Sequence, residues 1–326
     1  IVNEQYWTPC ARFADIVLPA TTMLERNDIG SSNRDRHMIA MKRIIDPVGE
    51  AKSDYDIFTG LAERLHVEDR FTEGRNEMAW LRHLYDESAE RARRFDITLP
   101  SFEAFWSEGL FEVPPPQEPA VMLKKFRADP KANKLPTPSG KIEITSPTIA
   151  SFNYADCPGH PAWFSPAEWL GAPLAQRYPL HLMSHQPATR LHSQYDHGSH
   201  SLAAKIKGRE AITLHPEDAV SRGIKAGDVV RVYNDRGACL AGVRIDDGVG
   251  PGVAVLPTGA WFDPLDVNDV AKLEKHGNPN VLTLDKGTSR LTQGCTAHTT
   301  LVEVALYNDE LPPITAFDPP ASAARA

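Results

Sequence analysis

The chain has 326 residues, 41% hydrophobic and 24% charged, with a formal net charge of −8. Such proportions fit a globular protein of about two domains, and the negative balance excludes nucleic acid as the main partner, since phosphate-backbone binding needs a broad basic surface. No run of about eighteen apolar residues occurs, so no membrane-spanning helix is expected.

The 27 prolines point to long ordered loops laid over a scaffold. Cys10, Cys157, Cys239 and Cys295 stand singly, with no C-x-x-C pair and no His at zinc-ligand spacing. That pattern speaks against a disulfide framework and against an iron–sulfur cluster held by this chain. It leaves the redox compartment open.

Ile1-Val2-Asn3-Glu4 reads as the end of a strand whose apolar part is cut short, with no initiator Met and no signal region. Domains seldom begin inside a strand. The expectation is a piece lacking its N-terminal part, and with it any targeting segment. Residues 1–150 read as α/β. Ala14–Pro19 is expected to be a buried strand, and residues 22–43 a polar stretch rich in turn formers. Ser53 opens a helix with Asp56 three residues on, a capping-box-like start, and Ile57, Phe58, Leu61 and Leu65 share one face. Further helices are expected at Glu77–Tyr85 and Ser101–Gly109, the latter burying Phe102, Phe105 and Trp106. Prolines bracket a Lys-rich solvated patch at 124–134, and Lys141–Ile144 reads as a strand.

Residues 151–177 read as a linker, 178–310 as β, and 311–326 as a tail. The strands are Leu180–Met183, Ala211–Leu214, Asp228–Tyr233, Ala238–Ile245, Val253–Leu256 and Leu301–Leu306. A short helix starts at His215 and closes at Gly223. Asn234-Asp235-Arg236-Gly237 is a hairpin turn with a glycine available for positive φ. In Ala238–Ile245, residues Cys239, Ala241, Val243 and Ile245 alternate with outward positions. Several short strands with loops between them favour a closed barrel.

The densest signal is Leu180–His192, LHLMSHQPATRLH. An apolar run ends abruptly in polar residues at Pro187, which fixes φ and removes a ladder donor. The resulting loop is dense in donors at a strand end and suits a large anionic ligand. The residues alone support a polar surface loop equally well.

Taken together, these segments resemble the C-terminal part of a molybdenum enzyme of the dimethyl sulfoxide reductase family. The similarity is strongest to the trimethylamine N-oxide, dimethyl sulfoxide and biotin sulfoxide reductases. It rests on Trp7-Thr8 with ADIVLPATTMLERND (14–28), LPTPSGKIEI (135–144), SHQPATRLHSQ (184–194), HPEDAVSRGIKAGDVVRVYNDRG (215–237) and HGNPNVLTLDKGTSRLTQGCTAHTTLVEV (276–304). The resemblance implies the later part of an α/β dinucleotide-binding domain followed by a six-stranded β-barrel of double-psi type. It implies bis(molybdopterin guanine dinucleotide) molybdenum as cofactor and an S-oxide or N-oxide as substrate, reduced by oxygen-atom transfer with two electrons and two protons. The electron donor would be a cytochrome or another carrier, and the missing N-terminal part would hold the metal ligand, so no catalytic or metal-ligating residue is expected in this chain. The compartment implied is the periplasm, with the cytoplasm as the alternative.

Site residues follow from the same resemblance. Ser184, His185, Gln186, Thr189, Arg190, His192 and Ser193 are expected at the pterin, with Arg190 offering a planar fork to phosphate or pterin oxygens. Asn280 reads as a cofactor contact or an Asx-turn residue; Gln293 and His298 as contacts or barrel caps; Trp261 as an aromatic over the cofactor or as core. In the α/β part, Asn3 and Glu4 follow a strand, where doubly wound folds bind nucleotides. Arg26 and Asp54 join them, against a surface ion pair with Glu25 or Asp28 for Arg26 and helix-terminus charge complementarity for Asp54. The rival readings are another molybdopterin enzyme, such as a formate dehydrogenase or nitrate reductase, and a non-enzymatic double-psi barrel serving as an interaction module.

Overall fold

The two short apolar runs at the head of the chain pair with each other. β1 (Val2–Glu4) lies parallel to β2 (Val17–Pro19), with Asn3 opposite Leu18, and between them α1 (Pro9–Arg12) is capped by the Thr8 hydroxyl. The computed structural model describes residues 1–320 apart from 33, 34, 117, 270, 271 and 297. It forms two compact units, Ile1–Ala128 and Asp129–Ala326, each taken here by itself.

In the first unit the expected strand Ala14–Pro19 is shorter and only half-buried, because its ladder is limited to the three residues of β1. The polar run 22–43 holds β3 (Asp28–Ser31) and β4 (His37–Met41), antiparallel to each other. β3 itself carries three of the turn formers, Asp28, Gly30 and Ser31, and Asn33 and Arg34 lie outside the described residues. Ser53 caps α2 (Asp54–Arg64): its hydroxyl accepts from Asp56 N, as expected, while the Asp56 carboxylate accepts from that same hydroxyl and not from the Ser53 N–H of a full capping box. The face carrying Phe58, Leu61 and Leu65 is exposed within this unit, and only Ala62 of the helix is buried.

A short α3 (Glu68–Thr72) precedes α4 (Glu77–Arg93), which is capped by Asn76 and runs past the expected end at Tyr85. α5 (Phe102–Glu108) runs from the Ser101 cap to Gly109, and β5 (Leu110–Glu112) then pairs with the free edge of β4. Tyr85, Phe102 and Phe105 form the core here, with Tyr85 and Phe105 stacked at 4.8 Å, and Trp106 packs against it. The Lys-rich patch begins as a short exposed helix, α6 (Lys124–Ala128), rather than as loop.

The second unit opens with a correction. Lys141–Ile144 is not a strand: a turn joins Leu135 N to Gly140 O, Ser139 N donates to the Glu143 side chain, and Ile142 and Ile144 face solvent. Lys141 N donates to Ser139 Oγ and Lys141 O accepts from the Thr137 hydroxyl, so local bonds take up backbone groups a ladder would need. A one-turn helix, α7 (Pro147–Ala150), follows.

Then comes the barrel: β6 (Leu180–Met183), α8 (Ser199–Ala204), β7 (Ala211–Leu214), α9 (Pro216–Ser221), β8 (Val229–Tyr233), β9 (Ala238–Ile245), β10 (Val253–Val255) and β11 (Thr300–Leu306). The six strands close in the order β10-β6-β11-β8-β9-β7, with β6–β10 and β7–β9 parallel and the other pairs antiparallel. Closure removes exposed strand edges. Leu180, Leu182, Ile212, Leu214, Val230, Val232, Cys239, Val243, Val302 and Val304 fill the interior.

Two local expectations change. β9 does not alternate between core and solvent, because Ala238 through Val243 are all buried. Its inward side chains join the barrel core, while Ala238 and Leu240 pack outside it against Val229 and Leu273. The hairpin turn 234–237 uses no positive φ, since the Asn234 side chain accepts from Arg236 N and Asn234 N donates to Gly237 O.

The stretch 151–177 belongs to the second unit and contributes one strong tie. The buried Glu168 carboxylate receives both terminal nitrogens of Arg236, at 2.6 and 3.0 Å, and the Leu301 N–H at 2.8 Å. Arg236 Nε also donates to Leu282 O. Removing Glu168 leaves the quarter-exposed Arg236 without its partner and the Leu301 N–H without an acceptor. Glu168→Ala is expected to cost the barrel unit roughly 2 kcal/mol, read as a lower denaturant midpoint at unchanged slope; a loss below about 0.5 kcal/mol would mean that Glu168 is no such tie.

Candidate functional site

The loop after β6 projects from the barrel and carries the polar run. Pro187 is buried, whereas His185, Gln186, Thr189, His192 and Ser193 are exposed. From Ser184 to Tyr195 the loop contains no carboxylate. Its outward face therefore offers hydroxyl, amide and imidazole groups to a ligand rich in acceptors. Ser184 is buried, and its hydroxyl has no partner among the described residues. Within the loop, the His185 ring bonds Gln186 O and the Gln186 amide donates to Arg190 O.

Arg190 departs from expectation. Its side chain is 1% exposed, and the fork expected to face an anion is used inside the protein. Nε donates to His192 O, Nη1 to Ser201 Oγ, and Nη2 to Glu210 Oε2 and Thr258 O, all within 3.0 Å. Arg190 thus braces the loop from below. Trp261 is likewise an interior residue, and its indole N–H donates to Ser193 O at 2.7 Å. The neighbouring Gly259 has φ of +93°, and a Cβ there would lie 1.9 Å from His192 O, so only glycine admits this approach.

The interior beneath the loop holds residues that local sequence reading missed. Asp196, Lys205, Glu210, Asp263, Glu274, Lys275 and His276 are all buried. Burial opposes the ionised form of Asp196, but the Lys205 ammonium, His276 and the Trp261 N–H outweigh it and hold the carboxyl below its usual range. The Glu274 carboxylate accepts from the N–H groups of Asp263, His276, Gly277 and Asn278. Burial nevertheless pushes its pKa up to about 7. The His276 Nδ1 lies 2.8 Å from Trp261 O, while Nε2 is buried without a partner among the described residues. The segment read as a tail reaches the same interior: Thr315 bonds both oxygens of Asp263, and Phe317 packs on Trp261 and His276. Its last six residues lie outside the described residues. The missed signal was a set of single charges in apolar surroundings, such as Lys205 between Ala203-Ala204 and Ile206.

The remaining barrel positions scatter. Asn280 is exposed, and the Asx turn belongs to its neighbour, because Asn278 Oδ1 accepts from Asn280 N. The Gln293 side chain donates to Ser289 O within its own loop. His298 is exposed and its backbone oxygen bonds the His181 ring.

In the first unit, Asn3, Arg26 and Asp54 come together. Asn3 Nδ2 approaches Asp54 Oδ1 at 3.5 Å, and Arg26 donates to Thr21 O. Arg26 also lies 3.5 Å from Asp28, the surface pair anticipated as the alternative. Glu4 turns to Gln5 N and the Thr8 hydroxyl. Arg26 lines two adjoining clefts of about 340 and 170 Å³, the first with Thr21, Lys52 and Ser53, the second with Asp54, Tyr55 and Trp80. Thr21 Oγ1 and Trp80 Nε1 are buried and without partners among the described residues, one in each cleft. The first cleft mixes Arg26, Arg43 and Lys52 with Glu25, Asp56 and Glu77, and the second is mainly apolar, with the two orphaned groups set beneath their walls.

The architecture is a closed six-stranded barrel preceded in sequence by an α/β segment. Residues 180–301 match the family model described as the molydopterin dinucleotide binding domain, and residues 1–64 match that of molybdopterin oxidoreductase. The chain is 51% identical over 94% of its length to a biotin sulfoxide reductase of Cereibacter sphaeroides, covering 41% of that protein. It is 47% identical over 99% of its length to a dimethyl sulfoxide/trimethylamine N-oxide reductase of the same organism, covering 40% of it. A trimethylamine-N-oxide reductase of Salmonella typhi is also 47% identical, over 98% of this chain and 38% of the relative. Among solved structures, acetylene hydratase from Pelobacter acetylenicus superposes with a TM-score of 0.69 at 20% identity, over 94% of this chain and 40% of that one, a likeness of fold. The chain belongs to the molybdopterin oxidoreductases. It spans about two fifths of the length of the curated relatives it matches.

His276 contributes a pH dependence of defined sign to the barrel unit. Burial drives its pKa from 6.5 down to about 4. The unfolded chain takes up a proton that the folded unit refuses, so this contribution is lost as pH falls from about 6.5 towards 4. It is on the order of 3 kcal/mol. Glu274, its pKa raised by burial to about 7, contributes with the opposite sign over much of the same range. Unfolding measured from pH 7 to 4 is therefore expected to show His276→Gln gaining stability relative to the parent as pH falls. Parallel profiles would mean that His276 is not held neutral.

Proposed function

We propose that this chain holds the dinucleotide arms of a bis(molybdopterin guanine dinucleotide) molybdenum cofactor in an enzyme that reduces an S-oxide or N-oxide. The observation that carries the reading is the exposed face His185–Ser193, which presents donors and no carboxylate from the end of β6. The cofactor, when bound, supplies oxygen-atom transfer; the protein supplies binding and orientation. Ser184, His185, Gln186, Thr189, His192 and Ser193 would donate to pterin edges and phosphate oxygens, with Asn280, Gln293 and His298 at the barrel's exposed surface. Trp261 and Arg190 would act from the interior by holding the Ser193 and His192 carbonyls. Asn3, Arg26 and Asp54, with Glu4 nearby in sequence, would take the nucleotide end, where Thr21 and Trp80 offer unused donors.

Relatives at 47–51% identity are sulfoxide and N-oxide reductases, which supports this reading over a formate dehydrogenase, a nitrate reductase or a non-enzymatic barrel. The domain boundaries proposed are 1–150, 151–177, 178–310 and 311–326, with 129–177 and the described part of 311–326 lying in the compact unit that holds the barrel. The compartment proposed is the periplasm, and the electron donor a cytochrome or similar carrier; among the described residues no helix is long and apolar enough to cross a membrane.

The test is composition. Full-length protein purified after anaerobic expression with molybdate is expected to carry molybdenum and acid-extractable guanine nucleotide, and to reduce S-oxides or N-oxides with an artificial donor. Arg190→Ala is expected to lower both contents about tenfold or more, because several loop contacts are lost together. Unchanged contents in that variant would remove Arg190 from the cofactor site.

A further inference from the structure

Beneath the exposed loop, two cations and two anions form a closed ring. Arg190 lies 3.4 Å from Asp196 and 2.8 Å from Glu210; Lys205 lies 2.9 Å from Asp196 and 3.0 Å from Glu210. Each cation touches both anions, the formal charges cancel, and no side chain of the four is more than 5% exposed. The Ser201 hydroxyl bridges one side, accepting from Arg190 and donating to Asp196.

Asp196 stands apart from Glu210 in what its second oxygen does. Oδ2 accepts the Trp261 backbone N–H at 2.8 Å, and the Trp261 indole donates to Ser193 O. Through Oδ1, Asp196 orients Arg190, whose Nε donates to His192 O. One carboxylate therefore governs the donors that hold two successive loop carbonyls. The first belongs to His192, which sits at φ +50°, a left-handed conformation uncommon for a non-glycine residue. Glu210 supplies the fixed end, because its own backbone bonds His276 O and Gly242 N.

We propose that Asp196 is the positioning residue of the 184–193 loop: through a charge-balanced ring with Arg190, Lys205 and Glu210, and through Trp261, it sets the turn at His192–Ser193. Asp196 itself touches no ligand. The proposal takes its functional meaning from the cofactor reading above, but the positioning has a readout of its own.

That readout is hydrogen–deuterium exchange of full-length, cofactor-loaded protein, followed in peptides covering 184–195. Asp196→Asn keeps the shape and leaves an excess buried positive charge. Exchange in the loop is expected to rise about tenfold or more, with β7 and β11 unchanged. Adding Lys205→Gln restores neutrality and is expected to return the loop to within about threefold of the parent. A residue that merely filled space would not be rescued by neutralising its partner. Unchanged loop exchange in Asp196→Asn, or a double variant no better protected than the single one, overturns the proposal. Should Asp196→Asn fail to fold, Ser201→Ala removes the bridging hydroxyl without stranding a charge, and its loop is expected to loosen alone; unaltered exchange there overturns the proposal equally. Molybdenum and guanine contents of the same preparations separate the two readings. A loosened loop with falling contents supports both, whereas a loosened loop with contents intact supports the positioning role and overturns the loop as cofactor wall.

Discussion

Taking Arg190 and Lys205 out of water costs several kcal/mol for each ion unless carboxylates meet them at hydrogen-bond range. In the barrel unit that requirement is met by Asp196 and Glu210, which come from different stretches of chain around α8. Everything at the polar end of the barrel follows from this constraint. Arg190 cannot leave the ring without stranding the carboxylates, so the carbonyls it holds at His192 and Thr258 are held too. The loop surface is consequently organised from beneath, and its outward face remains open to a ligand.

The barrel makes such an interior sustainable. β9 is buried on both faces from Ala238 to Val243, so the unit has apolar packing inside the strands and a second layer outside them. Within that second layer the Glu274 carboxylate gathers four backbone N–H groups, and Thr315 and Phe317 fold back over Asp263, Trp261 and His276. The four N–H groups on Glu274 and the two Thr315 bonds to Asp263 favour one arrangement, because each alternative leaves a donor or acceptor unmet. Both units also keep buried polar atoms without a partner among the described residues, Ser184 Oγ and His276 Nε2 in the second and Thr21 Oγ1 and Trp80 Nε1 in the first.

Periodicity, caps and turn residues in the sequence by themselves determined much of the architecture. The six barrel strands fell where apolar runs met Gly, Pro and Asn-Asp-Arg-Gly signals, and Ser53 and Ser101 marked helix starts through hydroxyls that satisfy local N–H groups. These are short-range effects, so a window of a few residues contains their cause. The same holds for the exposed polar face of the 184–193 loop, legible as a strand run halted at Pro187.

Tertiary structure alone decided the rest. Lys141–Ile144 has strand composition but lies in a turn system whose local bonds pre-empt a ladder. β9 alternates between the barrel core and a second layer instead of solvent, because Leu273, remote in sequence, covers its outer face. Arg190 is the clearest case: its sequence neighbours suggest a fork aimed at an anion, yet Glu210 and Ser201, ten or more residues away, draw it inward. Whether a charged side chain meets ligand or protein depends on which partners folding brings within 3 Å of it, and those partners are not adjacent in sequence.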